Sequence, residues 1–324
     1  MAFRSEFTEL MTRDLYGWFM ESYDQLSPVY PQIFNVQTLV GAYDQETAGI
    51  GLGQLSERSE GNDIVASNPL EGYTVIGKAR TFSDAFYLTM EFVEDSTPEK
   101  MSNVMSGFAS TWASGVINSK ETFAAKFFNY GGFLAGRHDT FDNTITGVIT
   151  DSSGDLIYTG KPFFALTGNN HTAKDGSTYY NSLGALSLTS ANIQTAYNLM
   201  TNTNNYDERG EKIALAPDTL LIPPALRFTA KTILESELLP GGANNDINVT
   251  QNLVSPIEWQ YLTDTNGWFL GARGKGIKFL ERKSPVIDFY QDETSKKFYA
   301  TIDTRFGTTV DNWRYWVAAN ISTS

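Results

Sequence analysis

The residues that could carry chemistry in this 324-residue chain are few: two histidines, no cysteine and a surplus of carboxylates. His138 and His171 lie in separate polar, loop-like stretches, which leaves almost no material for a Ser-His-Asp triad or a histidine-rich zinc site. His171 could act as a single base, but a lone loop histidine also reads as solvated or structural. The absence of cysteine excludes disulfides, thiol nucleophiles and thiolate metal sites. Asp and Glu together number 37, so a carboxylate pair for acid–base work could occur anywhere and is diagnostic nowhere. The run Asp151, Ser152, Ser153, Gly154, Asp155 hints at a calcium loop, yet its glycine is misplaced and the closing Glu is missing, so it reads as a turn. Gly49, Gly51 and Gly53 imitate part of a dinucleotide fingerprint. No basic residue follows closely and no strand-to-helix switch surrounds them, so a flexible loop is the reading. Gly271 to Gly276 contains Gly-Lys but lacks the four-residue gap and the Ser or Thr of a phosphate loop; it reads as a hairpin turn. No catalytic, cofactor-binding or metal-binding set emerges, and the chain reads as something other than an enzyme.

Net charge points the same way. A formal charge of −13 and an isoelectric point near 4.6 argue against a nucleic-acid-binding face, which needs clustered Lys and Arg. No stretch approaches eighteen apolar residues and the N-terminus lacks a signal-type apolar region, so neither membrane insertion nor secretion is expected. The reading is a soluble protein that stays in the cell that makes it. The triplets beginning at Asn170, Asn248 and Asn320 are then chance matches to a glycosylation signal.

The elements that organise the chain centre on residues 97–129. Thr97 as N-cap, Pro98 at the first helical position and Glu99 and Lys100 in the first turn are start signals in register. Met101, Val104, Met105, Phe108, Trp112, Val116, Phe123 and Phe127 then form one helical face, and Gly131-Gly132 closes it. At 1.5 Å per residue this rod spans roughly 50 Å. It serves as a spine against which sheets can be laid. Before it, residues 5–26 carry Phe7, Met11, Leu15, Trp18 and Phe19 on a helical stripe, an aromatic arm that must dock in its own subunit or a neighbour. Residues 29–47 read as extended. Residues 45–92 read as a long two-stranded ribbon with a glycine-rich polar tip, in which Phe86, Leu88, Met90 and Phe92 share one strand face. A two-stranded ribbon is marginal alone and needs a surface to lie on.

After the spine, strands alternate with helices. Thr189 or Ser190 caps a helix with Ile193, Ala196, Tyr197 and Met200. Residues 219–222 form a buried strand, and Pro223-Pro224 opens a helix with Leu226, Ala230, Ile233, Leu234 and Leu238. From residue 248 the pattern is mostly strands, at 268–272, 277–280, 286–290 and 297–306, and residues 313–317 close the sheet. The class is α+β.

The stretch 160–240 carries a resemblance. Its order of KPFF, GNNH, DGSTYYNSLG, the capped ANIQTAYNLM and YDERGEKIALAPDTLLIPPALRFTAKTILESELLP resembles the central part of major capsid proteins of tailed bacteriophages, and within them the Mu-type head subunit. The most specific piece is Arg209-Gly210 leading to Pro217, Asp218, Thr219 to Ile222, Pro223 and Pro224. The order of arm, ribbon, spine, central unit and C-terminal strands also fits. The resemblance implies the Hong Kong 97-like capsid fold and a shell of hexamers and pentamers, icosahedral, around double-stranded DNA that is enclosed without sequence-specific binding. It implies an arm at 1–44, a ribbon or E-loop at 45–92, a peripheral domain at 93–145, an axial domain at 146–275, and C-terminal strands at 276–324 returning to the peripheral domain. Many members begin with a cleaved scaffolding segment; this sequence begins with the arm, so a separate scaffolding protein or none is expected, alongside portal and decoration proteins. No cofactor, metal or membrane partner is implied, and assembly would occur in the host cytoplasm.

Residues expected at subunit contacts are Phe7, Trp18 and Phe19 in the arm; Gly49, Gly51, Gly53, Arg58 and Gly72 in the ribbon; and Pro240, Gly241, Gly242, Asn244 and Asn245 near the symmetry axis. Two alternatives stand beside this reading. One is an encapsulin-type nanocompartment shell. The other, suggested by sixteen Tyr and six Trp, is a carboxylate-based hydrolase or carbohydrate-binding protein with an aromatic pocket.

Overall fold

The computed structural model describes residues 2–50, 57–58, 60, 63, 70–131, 161–168, 170–238 and 247–321. The arm is a helix, α1 (Ala2–Asp24), followed by a single turn, α2 (Tyr30–Ile33), and a short strand, β1 (Asn35–Thr38). Residues 29–47 are therefore not continuously extended. Pro31 favours a helical start and the Glu121 carboxylate caps the turn from outside, accepting from the amides of Val29 and Tyr30.

The ribbon is β2 (Tyr43–Ile50) paired antiparallel with β3 (Leu70–Lys78). It stops short of the expected end at residue 92. The next strand, β4 (Arg80–Leu88), pairs with a C-terminal strand instead, and residues 90–95 form a helix, α3 (Met90–Asp95). Alternating apolar residues at Met90 and Phe92 continue the strand pattern on paper. Thr89 overrides it locally: its side chain accepts from the Phe92 amide and caps a helix.

The spine is α4 (Pro98–Tyr130), and its start is the one the sequence gives away, with the Thr97 hydroxyl accepting from the Lys100 amide. Past residue 160 come a two-stranded hairpin of β5 (His171–Thr172) and β6 (Thr178–Tyr179), then α5 (Ser190–Asn198) capped by Thr189 and running into a π-turn at Leu199–Thr203. Strand β7 (Thr219–Ile222) is buried throughout and leads through a 3₁₀ turn into α6 (Arg227–Glu235). Leu238 lies beyond that helix and is 46 % exposed, so it is not part of the helix's buried stripe. The remaining strands are β8 (Ser255–Glu258), β9 (Trp268–Gly271), β10 (Ile277–Gln291), β11 (Phe298–Val310) and β12 (Trp316–Ala319).

Two four-stranded sheets result. One has the order β1-β10-β11-β4, with β1 parallel to β10; the other has the order β12-β9-β7-β8, with β7 parallel to β8. Two expectations are corrected here. The C-terminal strands do not return together, because β10 and β11 join β4 beside the spine whereas β12 pairs with β9 in the central sheet. Residues 271–276 are not a hairpin turn, since β9 and β10 lie in different sheets and this segment crosses between them. The expected strands at 277–280 and 286–290 are one strand, broken in register between Glu281 and Val286, where Pro285 cannot donate to a ladder.

Three apolar clusters hold these layers. The first half of α4, with Met101, Met105, Trp112 and Val116, packs with Leu15 and Phe19 of α1 and with Ile287, Phe289, Phe298, Ala300 and Ile302 of the first sheet. Its second half, with Phe123, Phe127 and Phe128, packs with Phe34, Phe163, Phe164, Trp259, Phe269, Phe279, Phe306 and Trp316. A third cluster joins α5, α6 and the other face of the central sheet through Ile193, Leu220, Ile222, Leu234, Trp268 and Val317.

Candidate assembly surfaces

The two legs of the ribbon are held at fixed points. Where β10 slips register after Glu281, the Arg282 guanidinium turns to the carbonyls of Leu39, 3.0 Å away, and Val40, and the Leu39 amide donates to Glu281 O. This holds the leg that enters β2. The leg leaving β3 lies on β11 at Gly307, where an added Cβ would stand 2.1 Å from Lys78 O, so only glycine lets the two backbones approach this closely. At Gly77 the added atom would meet Leu280 Cδ1 at 2.5 Å. The direction of the ribbon is thus set by its root.

The arm is fixed to its own subunit. Phe19 and Leu15 are buried against α4, and Trp18 and Tyr23 pack around them half-buried. Tyr23 also joins a polar junction: Lys120 Nζ, on a side chain 4 % exposed, donates to Glu281 Oε1 at 2.6 Å and to Tyr23 Oη at 3.1 Å, and Tyr30 Oη donates to the same carboxylate at 3.2 Å. The pairing with Glu281 outweighs the burial that opposes charge, and Lys120 is held above its ordinary value. Burial and the Glu281 carboxylate push the Tyr30 phenol far up, so it stays a donor. The next residue, Glu121, is 2 % exposed and accepts from Trp259 Nε1 at 2.5 Å in addition to the two amides of the α2 turn.

Of the residues expected at contacts, the structure brings together only those at the ribbon's described ends. Gly49 sits in β2 opposite Glu71, beside a register shift, and Gly72 lies next to that position in β3. Arg58 is exposed, Phe7 lies within α1, and Phe19 is taken up by its own core and so offers no surface. Gly51, Gly53, Pro240, Gly241, Gly242, Asn244 and Asn245 lie outside the described residues, as do His138 and the run 151–155. His171 is corrected as a candidate base. It is completely buried, stacked on Trp313 at 4.1 Å, with Nε2 3.3 Å from both Phe163 O and Asn181 Oδ1, and burial pushes its pKa down to about 3. It is a neutral core residue.

Sequence reasoning missed Lys120, Glu121, Glu281, Arg282 and Gly307. A signal existed for the first: Lys120 falls on the apolar stripe between Val116 and Phe123, where an unpaired lysine would be costly. Among the described residues no group of three or more His, Asp or Glu could hold a metal ion, and no helix is long and apolar enough to cross a membrane. On the outward side of the first sheet, Tyr87, Tyr299 and Tyr290 stand directly opposite one another on three successive strands, with Lys297 Nζ 4.3 Å over the Tyr87 ring. A pocket of about 220 Å³ between α4 and β4 is lined by Phe82, Asp84, Trp112, Val116 and Ile302, and the Trp112 indole donates to Asp84 Oδ2 at 2.9 Å. The Asp84 carboxylate also accepts from the Ala85 amide, and the Ser119 hydroxyl at the same pocket donates to Gly115 O at 2.8 Å.

Comparison with known proteins agrees with this arrangement. No curated protein matches the sequence. Among solved structures, the capsid of a native GTA particle superposes with a TM-score of 0.54 at 11 % identity over 92 % of each chain. The mature capsid of bacteriophage PhiM1 gives 0.53 at 11 % identity over 92 % of this chain and 88 % of that one. A Mycobacterium phage Che8 structure gives 0.50 at 11 % identity over 91 % of each. These likenesses show the Hong Kong 97-like capsid fold. A family model described as phage capsid protein matches residues 71–322, and over that span, from the second strand of the ribbon through the spine to the last strand, the chain belongs to the phage capsid protein family, as a structural shell subunit and not an enzyme.

Proposed function

We propose that this chain is the major head subunit of a tailed phage, forming hexamers and pentamers of an icosahedral shell that encloses double-stranded DNA. The observation that carries the reading is the family match over residues 71–322, joined to a fold in which a two-stranded ribbon starts from a root fixed on its own sheet. A ribbon of two strands needs a surface, and ring-forming contacts between unlike faces of identical subunits supply one. In this reading the unit of α4 with β10, β11 and β4 is the peripheral domain, and the unit of α5, α6 and the central sheet is the axial domain. Residues 49–72 reach a neighbour, Phe7 and Trp18 set the arm, and Pro240, Gly241, Gly242, Asn244 and Asn245 lie near the symmetry axis. The formal charge of −13 keeps the lining from trapping DNA by non-specific binding. The narrower likeness to the Mu-type head subunit, assembly in the host cytoplasm, and a scaffolding protein, portal and decoration proteins as partners belong to the same proposal.

The test is deletion of the ribbon tip between β2 and β3, followed by electron microscopy and sedimentation. The subunit should fold with an unchanged circular dichroism spectrum and fail to close shells. Normal shells from the deleted chain would sink the role given to the ribbon, and shells filled with a protein cargo in place of DNA would favour a nanocompartment.

A further inference from the structure

Tyr73 stands on β3 and its hydroxyl donates to the carbonyl of Thr172, 2.9 Å away, while the Lys174 ammonium lies 4.1 Å over the centre of the same ring. Thr172 and Lys174 belong to the β5–β6 hairpin and its turn, so the ribbon is fastened to a part of the subunit with which it shares no sheet. The hairpin is itself braced. The Lys174 amide donates to Glu208 Oε2 at 3.0 Å and the Asp175 amide to Glu208 O at 3.1 Å. The second carboxylate oxygen of Glu208 receives Arg314 Nη1 at 2.6 Å. Arg314 is 2 % exposed, and its guanidinium lies 4.6 Å from the Trp313 ring and 5.6 Å from the Tyr179 ring.

A buried ion pair adds little net stability compared with apolar packing, but breaking one side strands a charge, so it fixes position well. The two halves of the contact therefore differ in kind. On the hairpin side the acceptor is held by a buried pair and stacked rings. On the ribbon side, a half-exposed tyrosine supplies a hydroxyl and a ring face, each a modest interaction in water. Such a joint opens at Tyr73 and leaves the hairpin in place.

We propose that Tyr73 is a releasable clasp, braced by the Glu208–Arg314 pair, that holds the ribbon against the central unit of its own subunit until a neighbour takes the ribbon. What releases the clasp rests on the reading of the ribbon as a contact to neighbours; the clasp itself is a property of the single chain. It gives the unassembled subunit a stowed ribbon, and it makes ribbon transfer an exchange of modest contacts, with the root at Gly307 and Arg282 unmoved.

Hydrogen exchange on the full-length chain as unassembled subunits tests it. Tyr73→Phe keeps the ring and loses the hydroxyl; amides of β2 and β3 should exchange about two- to tenfold faster, the range one hydrogen bond supplies, with α4 unchanged. Glu208→Gln should add the β5–β6 hairpin to the faster set. If that variant does not fold, Lys174→Ala takes its place, with faster exchange expected in the ribbon alone. Unchanged ribbon exchange in Tyr73→Phe, with α4 protected as in the parent, would overturn the clasp. Normal shells from the tip deletion would overturn the contact to neighbours while leaving the exchange result standing, so the two failures are distinguishable.

Discussion

Glu121 offers the most quantitative test of how the spine joins its surroundings. Its carboxylate is 2 % exposed and serves two masters: one oxygen caps the α2 turn through the amides of Val29 and Tyr30, and the other takes the Trp259 indole at 2.5 Å. Glu121→Gln keeps an acceptor for only one of these and turns a donor toward the other. Losing a charge-assisted hydrogen bond costs about 1.5–3 kcal/mol, and a buried donor facing a donor adds to it. Trp259→Phe removes the indole N–H, keeps an aromatic ring in the cluster with Phe128, and leaves one carboxylate oxygen unpaired. In the double variant the new amide no longer opposes a donor, so the two costs should not add. The expected coupling is about 1.5–3 kcal/mol, with the double variant more stable than the sum predicts. Urea unfolding of the unassembled chain followed by circular dichroism gives the four free energies. Costs that add to within about 0.5 kcal/mol would refute the shared-oxygen account.

Further outcomes follow from the same geometry. His171 is held neutral with a pKa near 3, whereas the unfolded chain protonates it near 6.5, so stability is intact above pH 6.5 and falls as pH drops toward 3, by about 2 kcal/mol at pH 5. In His171→Gln the loss between pH 7 and pH 5 should shrink by that amount, and equal losses in both chains would contradict it. Phe19→Ala, at a fully buried site under α4, should cost about 3–5 kcal/mol and make residues 2–24 sensitive to limited proteolysis; an arm that stays resistant would show that Phe19 does not hold it. Gly307→Ala forces the Lys78 backbone to move and should destabilise by about 1–3 kcal/mol, more than Gly77→Ala, which meets the end of the flexible Leu280 side chain. The reverse order in thermal melts would refute the account of the ribbon root.

Much of what depended on neighbours in sequence was legible. The spine helix was readable because its cap, its proline and its stripe are all local, and the same holds for the alternation in β11, whose even-numbered residues from Phe298 to Phe306 are buried. Periodicity says which face is apolar but not what covers it. The departure of β4 from the ribbon, the return of β12 to the central sheet and the parallel pairing of β1 with β10 are choices among partners far away in the chain. Met90 and Phe92 misled because two apolar residues are too short a run to establish a period, and the cap at Thr89 decides. The junction residues were hidden for a related reason. Lys120, Glu121 and Arg314 are charged types that composition assigns to the surface, and each is accommodated in the interior by partners 91 to 161 residues removed in sequence.

The double allegiance of α4 has a consequence for biosynthesis. Its apolar stripe leaves the ribosome well before β10 and β11, which cover much of it in the finished subunit. A bare stripe of that length on a nascent chain invites collapse onto other nascent chains. The arm is already made by then, and Leu15 and Phe19 of α1 fit the same stripe through contacts of much shorter loop closure than those of the sheet. The first helix of the chain is therefore placed to shield the spine during synthesis, leaving the sheet to close over what the arm does not cover.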